Sequence, residues 1–250
     1  MKKNIFLSVI IFFTFLLSGK ASAQDTLQSK FGVFFGLANN VHSADFSALP
    51  GIPAALGSYG AGYGNGFAFS LLYNYPLNDL LFIDGRFGYI DHSVILFAAN
   101  GQANVFVNGT KTTASVTRSI ELVAGSYGLE ARLGVHVIKG LIISAGIRMG
   151  FLSSPKFIQK DSASQGTFAD SNGIDTKRGM RNQYAGDLPG ATSILFHGIL
   201  SIGYEFPINR KHTTFIVPEI TYTPALNDIV KGITWKTDAV VYGISLKFSF

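Results

Sequence analysis

The chain contains no cysteine, so disulfides are impossible, as is a lipid anchor at a processed amino terminus. It also has few charges: 14% of 250 residues, against about 25% in an ordinary soluble protein. A soluble enzyme so poor in charge would struggle to cover its surface. Long apolar runs are missing too, apart from one at the extreme amino terminus. A helical membrane protein needs further stretches of about 20 apolar residues, so that class is excluded. The five histidines (42, 92, 136, 197 and 212) are scattered in sequence, and without cysteine they give no metal-site spacing. What is abundant is glycine (28) and phenylalanine (22), at a mean hydropathy of +0.29. Dispersed rather than blocked hydrophobicity is the signature of a membrane β-barrel.

The amino terminus reads as a targeting signal. Lys2 and Lys3 form a basic start, Ile5 to Leu17 an apolar core, and Ala21-Ser22-Ala23 a small-residue cleavage motif before Gln24. This divides the chain into a cleaved segment, 1–23, and a barrel domain, 24–250. Cleavage removes Lys2, Lys3 and Lys20 and no acid, leaving 17 bases against 15 acids, a net charge of +2. A nucleic-acid partner loses its support.

The remainder alternates. Phe31-Gly32-Val33-Phe34-Phe35-Gly36-Leu37 sets large apolar residues at every second position. Seven further stretches do the same, around 67–75, 81–89, 123–137, 141–151, 194–206, 216–222 and 240–250. Side chains on a strand alternate faces, so each stretch has one greasy face and one polar or tiny face. Eight strands are predicted. Short turns join strands two and three (Pro76-Leu77-Asn78-Asp79), four and five (Ile138-Lys139-Gly140), and six and seven (Pro207 to His212). The other connections, roughly 39–65, 91–117, 153–192 and 224–236, are long and rich in Gly, Ser, Asn, Asp and Pro. Short turns on one side and long loops on the other predict an all-β, eight-stranded antiparallel up-and-down transmembrane barrel, with four mobile loops outside. Gly60-Ala-Gly-Tyr-Gly-Asn-Gly66 looks like a phosphate loop, but no helix follows; it reads as a flexible lead into strand two.

Charge decides which face meets lipid. The apolar faces carry no Asp, Glu, Lys or Arg, whereas the opposite faces carry Asp84, Arg86, Glu130, Arg132, Arg148, Glu205, Glu219 and Lys247. A lipid-facing charge at mid-bilayer costs about 2–4 kcal/mol, so the charged face is the lumen. Its four acids balance its four bases, and the turn near Lys139 puts Glu130 opposite Arg148. The expectation is a buried ion-pair network plugging the barrel rather than a conducting lumen. Aromatic girdles are expected at Phe31, Tyr73, Tyr75, Tyr204, Phe206, Phe248 and Phe250 on the turn side. Tyr89, Phe151, Tyr222 and Trp235 are expected on the loop side. Pro218 lies inside a predicted strand and calls for a bulge. Asp91-His92-Ser93 offers acid, base and hydroxyl in a row, but neighbours on a strand point to opposite faces and do not make a triad. No catalytic residue, metal or cofactor is expected.

Pro218-Glu-Ile-Thr-Tyr-Thr223, Leu226-Asn-Asp-Ile229, Trp235-Lys236 and Gly243-Ile-Ser-Leu-Lys-Phe248 resemble the closing hairpin of PorT-like and OmpA-like barrel domains of Bacteroidetes-type bacteria. His42-Ser-Ala-Asp-Phe46 with Leu49-Pro50-Gly51 is similar to first loops in that group. OmpA proteins carry a further peptidoglycan-binding domain, whereas this chain stops at Phe250, so wall anchoring is not implied. The resemblance implies that Phe248 and Phe250, on the last strand, serve as an assembly signal read by the barrel-assembly machinery. The sequence-based expectation is thus a monomeric integral protein of a Gram-negative outer membrane, exported by its signal. Its partners would be outer-membrane lipid and lipopolysaccharide, and its role structural or interaction-based through its loops. A small channel or transporter for polar solutes is the alternative.

Overall fold

Strands with one greasy face leave unpaired backbone groups at any open edge, which lipid cannot satisfy, so they must close on themselves. The computed structural model describes residues 28–52, 57–98, 101–138 and 140–250; the signal segment 1–23 lies outside the described residues. Thirteen strands occur among the described residues. They are β1 (Lys30–Asp45), β2 (Gly62–Pro76), β3 (Leu81–Asp91), β4 (Val94–Phe97), β5 (Gly101–Val107), β6 (Thr110–Ile138) and β7 (Leu141–Ala163), followed by β8 (Thr167–Phe168), β9 (Met180–Asp187), β10 (Ile194–Tyr204), β11 (Phe206–Pro207), β12 (Thr214–Thr223) and β13 (Thr234–Ser249). Eight of these, β1, β2, β3, β6, β7, β10, β12 and β13, pair antiparallel in chain order, and β13 pairs back with β1 over sixteen residues. The ring is a closed up-and-down barrel.

Its geometry follows from the register. From Lys30, hydrogen-bonded neighbours lead through Asn74, Asp84, Arg132 and Gly146 to Ile199. The path crosses β12 beside the Leu200–Tyr222 pair and returns through Thr223 and Ala239 to Asn40. One circuit therefore climbs ten residues. With ordinary strand spacings, that stagger over eight strands gives a tilt of roughly 43°, and a bore that side chains can fill.

The outer face is apolar, with Phe35, Leu37, Leu71, Leu129, Ile147, Leu200 and Ile244 all more than half exposed. Aromatics bound this band below at Phe31, Tyr73, Tyr75 and Phe206. Above, Phe67, Tyr89 and Tyr127 pack ring to ring beside Phe151 and Tyr222. Next comes a polar collar, Asn39 beside Asn65 and Asp91 beside Gly125 and Ser153. Girdle to collar spans roughly the 25 Å of an outer-membrane apolar belt, so the membrane-spanning segments end there. Trp235 is not in the upper girdle, as was expected: it is fully buried. On β13 the even positions face out, so parity places Trp235 inside.

Two of the four long connections, 91–117 and 153–192, carry strands rather than plain loop. β6 and β7 continue far above the collar, and β4, β5, β8 and β9 add to them to form a sheet beyond it. Asn108-Gly109, both with positive φ, makes the tight β5–β6 hairpin turn. Gly62, Gly64 and Gly66 belong to β2, not to a flexible lead-in. A Cβ on Gly62 or Gly64 would strike the backbone at Ile95 or Ser93, and one on Gly66 would strike Asp91. Pro218 produces no bulge: β12 keeps unbroken register with β13 through the Pro218–Ile244 pair. On its other side the ladder lapses at Glu205 and resumes in the same register at Phe206–Ile216, so the missing N–H falls at a gap.

Candidate functional site

Inward positions fill the bore in layers. At the base, Glu205 lies between Lys247 (3.0 Å) and Lys30 (2.7 Å). Lys30, at the very start of β1, precedes the first alternating run and was not among the residues singled out in sequence. Its ammonium also lies over the Phe215 ring, 4.2 Å from the centroid. At mid-height six charges gather. Arg86 donates to both oxygens of Glu219 (2.6 and 2.9 Å) and, through Nε and Nη2, to Asp84 Oδ2 (3.0 and 2.9 Å). Arg132 pairs with Glu130 (2.5 Å) and stands 3.6 Å from Glu219. Arg148 reaches Glu130 at 3.3 Å, and the two are cross-strand partners. Three acids thus meet three bases in this layer. Beside it, Phe34, Ser70, Glu130, Arg132 and Thr221 line a cavity of about 10 Å³, room for one water at most.

Higher still, residues far apart in sequence converge. Arg148 donates to the Ser126 hydroxyl and to its carbonyl (2.9 Å each). Ser126 Oγ lies 2.9 Å from His92 Nε2, and the His92 ring stacks on His197 at 5.5 Å between centroids. Above the collar, the Trp235 indole donates to His42 Nδ1 (3.0 Å), while His42 Nε2 faces the Thr237 hydroxyl (3.1 Å). An indole N–H can only donate, so His42 Nδ1 is an acceptor and the ring is neutral. Burial accordingly drives the His42 pKa down to about 3, and that of His92 well below its ordinary value. Sequence reasoning treated these histidines as scattered; the strand tilt that stacks them was not readable from spacing. They form no cluster of metal-ligating residues among the described residues.

Asp91-His92-Ser93 does not assemble. The Asp91 carboxylate accepts the Ser93 backbone N–H, and His92 turns inward to Ser126. A Ser126–His92 pair has the contacts of a nucleophile and base, but Ser126 is fully buried and His92 Nδ1 has no partner to orient it. A substrate could not reach it.

The bore ends under an apolar cap. Phe46, Leu49 and Tyr59 from the first connection pack with Leu96, Ile120, Leu122 and Phe157 of the strands above the collar. Ile229, Val230 and Trp235 complete the layer from the last connection, and all are buried. Over it, in the sheet above the collar, Arg118 chelates Asp161, which also accepts from Asn182 (2.8 Å). That hydrogen-bonded carboxylate raises the Arg118 pKa further. At the opposite end Phe248 stacks on Phe31 (5.4 Å), and the exposed Phe250 ring sits 5.9 Å from it.

No family model matches the chain, and no curated protein matches it. Solved structures do resemble it in outline. The attachment invasion locus protein Ail of Yersinia pestis is 11% identical, with a TM-score of 0.37, over 88% of this chain and 99% of that one. OprG of Pseudomonas aeruginosa is 13% identical, with a TM-score of 0.36, over 89% and 96%. The outer-membrane protease OmpT of Escherichia coli is 7% identical, with a TM-score of 0.40, over 93% and 100%. At such identities nothing of those proteins' roles carries over. The barrel rests on the strand pairing of this chain itself.

Proposed function

We propose that the protein is an integral outer-membrane barrel of a Gram-negative envelope whose role is to hold a structured sheet at the cell surface for interaction, without enzymatic activity. The observation that carries this reading is the double closure of the bore: paired charges fill it, and an apolar layer caps it. Such a stem supports but does not conduct. The extracellular strands instead present a folded surface in which β6 and β7 stay paired from the barrel wall upward, with a register shift between Val123 and Gly125 at the collar. Lipid and lipopolysaccharide surround the stem, and the PorT-like and OmpA-like motifs of the closing hairpin agree with that setting.

The test is topological and exploits the absence of native cysteine. Lys177→Cys, on the exposed turn before β9, should react with a membrane-impermeant maleimide in intact cells. Arg210→Cys, in the short turn between β11 and β12, should react only after permeabilisation. The reverse pattern, or no labelling at Lys177→Cys in folded protein, would sink the surface assignment.

A further inference from the structure

Above the polar collar, on one side of the barrel only, the outer wall turns apolar again. Tyr63 of β2, Ile95 and Phe97 of β4, Val123 of β6 and Ile158 of β7 are 75%, 43%, 56%, 55% and 42% exposed. They are contiguous, because Tyr63, Ile95, Glu121 and Ile158 form one hydrogen-bonded row across four strands. Val123 lies two residues below that row on β6, and Phe97 two above it on β4. The row also takes in Val41 of β1, the partner of Tyr63 and 37% exposed, and the outer positions beyond it on β1 and β13 are polar: Ser43, Asp45, Lys236 and Asp238. The collar separates the patch from the lipid-facing band, so acyl chains do not cover it. A contiguous apolar patch in water marks an interaction surface.

Charge at its centre narrows the occupant. Glu121 is half-buried between Ile95 and Ile158. Lys156 and Lys160 flank it diagonally as cross-strand partners of Val123 and Ser119. None of the three forms an ion pair or side-chain hydrogen bond among the described residues. An acid and a base therefore stand side by side in an apolar setting without a direct pair, although Lys156 also has Asp187 of β9 as its other cross-strand partner. We infer that this wall is the interface of a two-fold homodimer, with its axis parallel to the barrel and running between β6 and β7. Two copies inserted in the same direction can be related only by such an axis. Strand tilt lifts Lys156 above its partner Val123, to within about one residue of Glu121 in height. The rotation lays β6 of one copy against β7 of the other at equal height, so each Glu121 meets Lys156 of the second copy, twice over. The contact is self-complementary and closed, needing no third copy. The lipid-facing bands below the patch come side by side inside the bilayer.

The experiment again uses single cysteines, in full-length protein in native membranes. Val123→Cys lies beside the axis, and Ser43→Cys lies above the collar on the opposite wall. A short thiol-specific crosslinker should give a product of twice the chain mass from Val123→Cys, at least tenfold more than from Ser43→Cys. In the Val123→Cys background, Glu121→Lys or Lys156→Glu alone should cut that yield several-fold, and the two together should restore it. Heat-modifiable migration on gels verifies that each variant is folded. A folded Val123→Cys barrel that gives no dimer, or as little as Ser43→Cys, overturns the proposal. So does a crosslinked product of another mass, which would mean a different protein covers the patch. Single charge variants that leave the dimer yield unchanged overturn the axis. Impermeant labelling at Lys177→Cys reads membrane placement separately, so failure of the dimer and failure of the surface assignment are distinguishable.

Discussion

Single side chains in the bore act as members of a counted set. Glu219 holds Arg86 through two oxygens and lies near Arg132, just as Glu130 lies between Arg132 and Arg148. Glu219→Ala leaves three arginines against two acids in a buried layer. Orphaning a buried charge in this way costs about 3–5 kcal/mol. Glu219→Ala with Arg86→Met removes one charge of each sign and restores balance, so it should destabilise less than the single change. Urea unfolding followed by gel mobility checks the order; a double variant weaker than the single would mean that bonds rather than net charge govern the layer. His42 makes a second prediction through pH. Its folded pKa, about 3, lies below the ordinary 6.5, so between those values only the unfolded chain takes up the proton. Its contribution to stability is complete above pH 6.5 and declines progressively as pH falls from 6.5 towards 3. His92, also held neutral, acts in the same direction. His42→Gln keeps an acceptor for Trp235 and should make the unfolding midpoint less sensitive between pH 7.5 and 5. An undiminished loss on acidification would remove His42 from the cause.

Elements divide at the collar into those the sequence announced and those it concealed. Below the collar each strand is half in lipid and half in the bore, so period-two alternation is sharp and all eight wall strands were legible. The ionic residues followed from the same alternation, since lipid forbids the other face. Above the collar both faces of a strand can meet water or a modest core, and the alternation blurs. Thr110 to Thr117 therefore read as loop, even though Asn108-Gly109 is a strong hairpin signal between two paired segments. Convergence of His42, His92, His197 and Trp235 was hidden for another reason: it depends on shear, a property of the ring and not of any strand. Two predictions belong to this scale. Trypsin on intact cells should cut at Lys177 or Arg178, in the exposed segment before β9, well before Lys156 and Lys160, which are paired within β7. Fragment masses check this, and early cleavage at Lys156 would mean that β7 ends at the collar. Deleting Phe248 to Phe250 removes the Phe248 pairings to both Phe31 and Thr214 and the ring contacts at the base. Assembled, heat-modifiable barrel in the outer membrane should fall steeply; normal amounts would remove those residues from assembly.

At the scale of the whole molecule, conduction and support are competing uses of one barrel, and two seals in series decide between them. The lower seal is steric and electrostatic: Arg86, Arg132 and Arg148 cross the bore to Asp84, Glu130 and Glu219, beside a cavity of only about 10 Å³. An ion passing this layer would have to break buried pairs and leave their charges uncompensated. The upper seal is a layer of fifteen buried apolar and aromatic residues drawn from both ends of the chain and from the strands above the collar. Seals in series add their barriers, so weakening one does not open the path. Purified protein in a planar bilayer should therefore show no sustained porin-sized openings. The charge-balanced variant with Arg86→Met and Glu219→Gln should stay equally silent, because the cap remains closed above it. Long-lived, large conductance steps from the unmodified protein would overturn the plugged-stem reading and favour a channel for polar solutes. Steps confined to the charge-balanced variant would show that the cap is permeable and the ionic layer alone holds the bore shut.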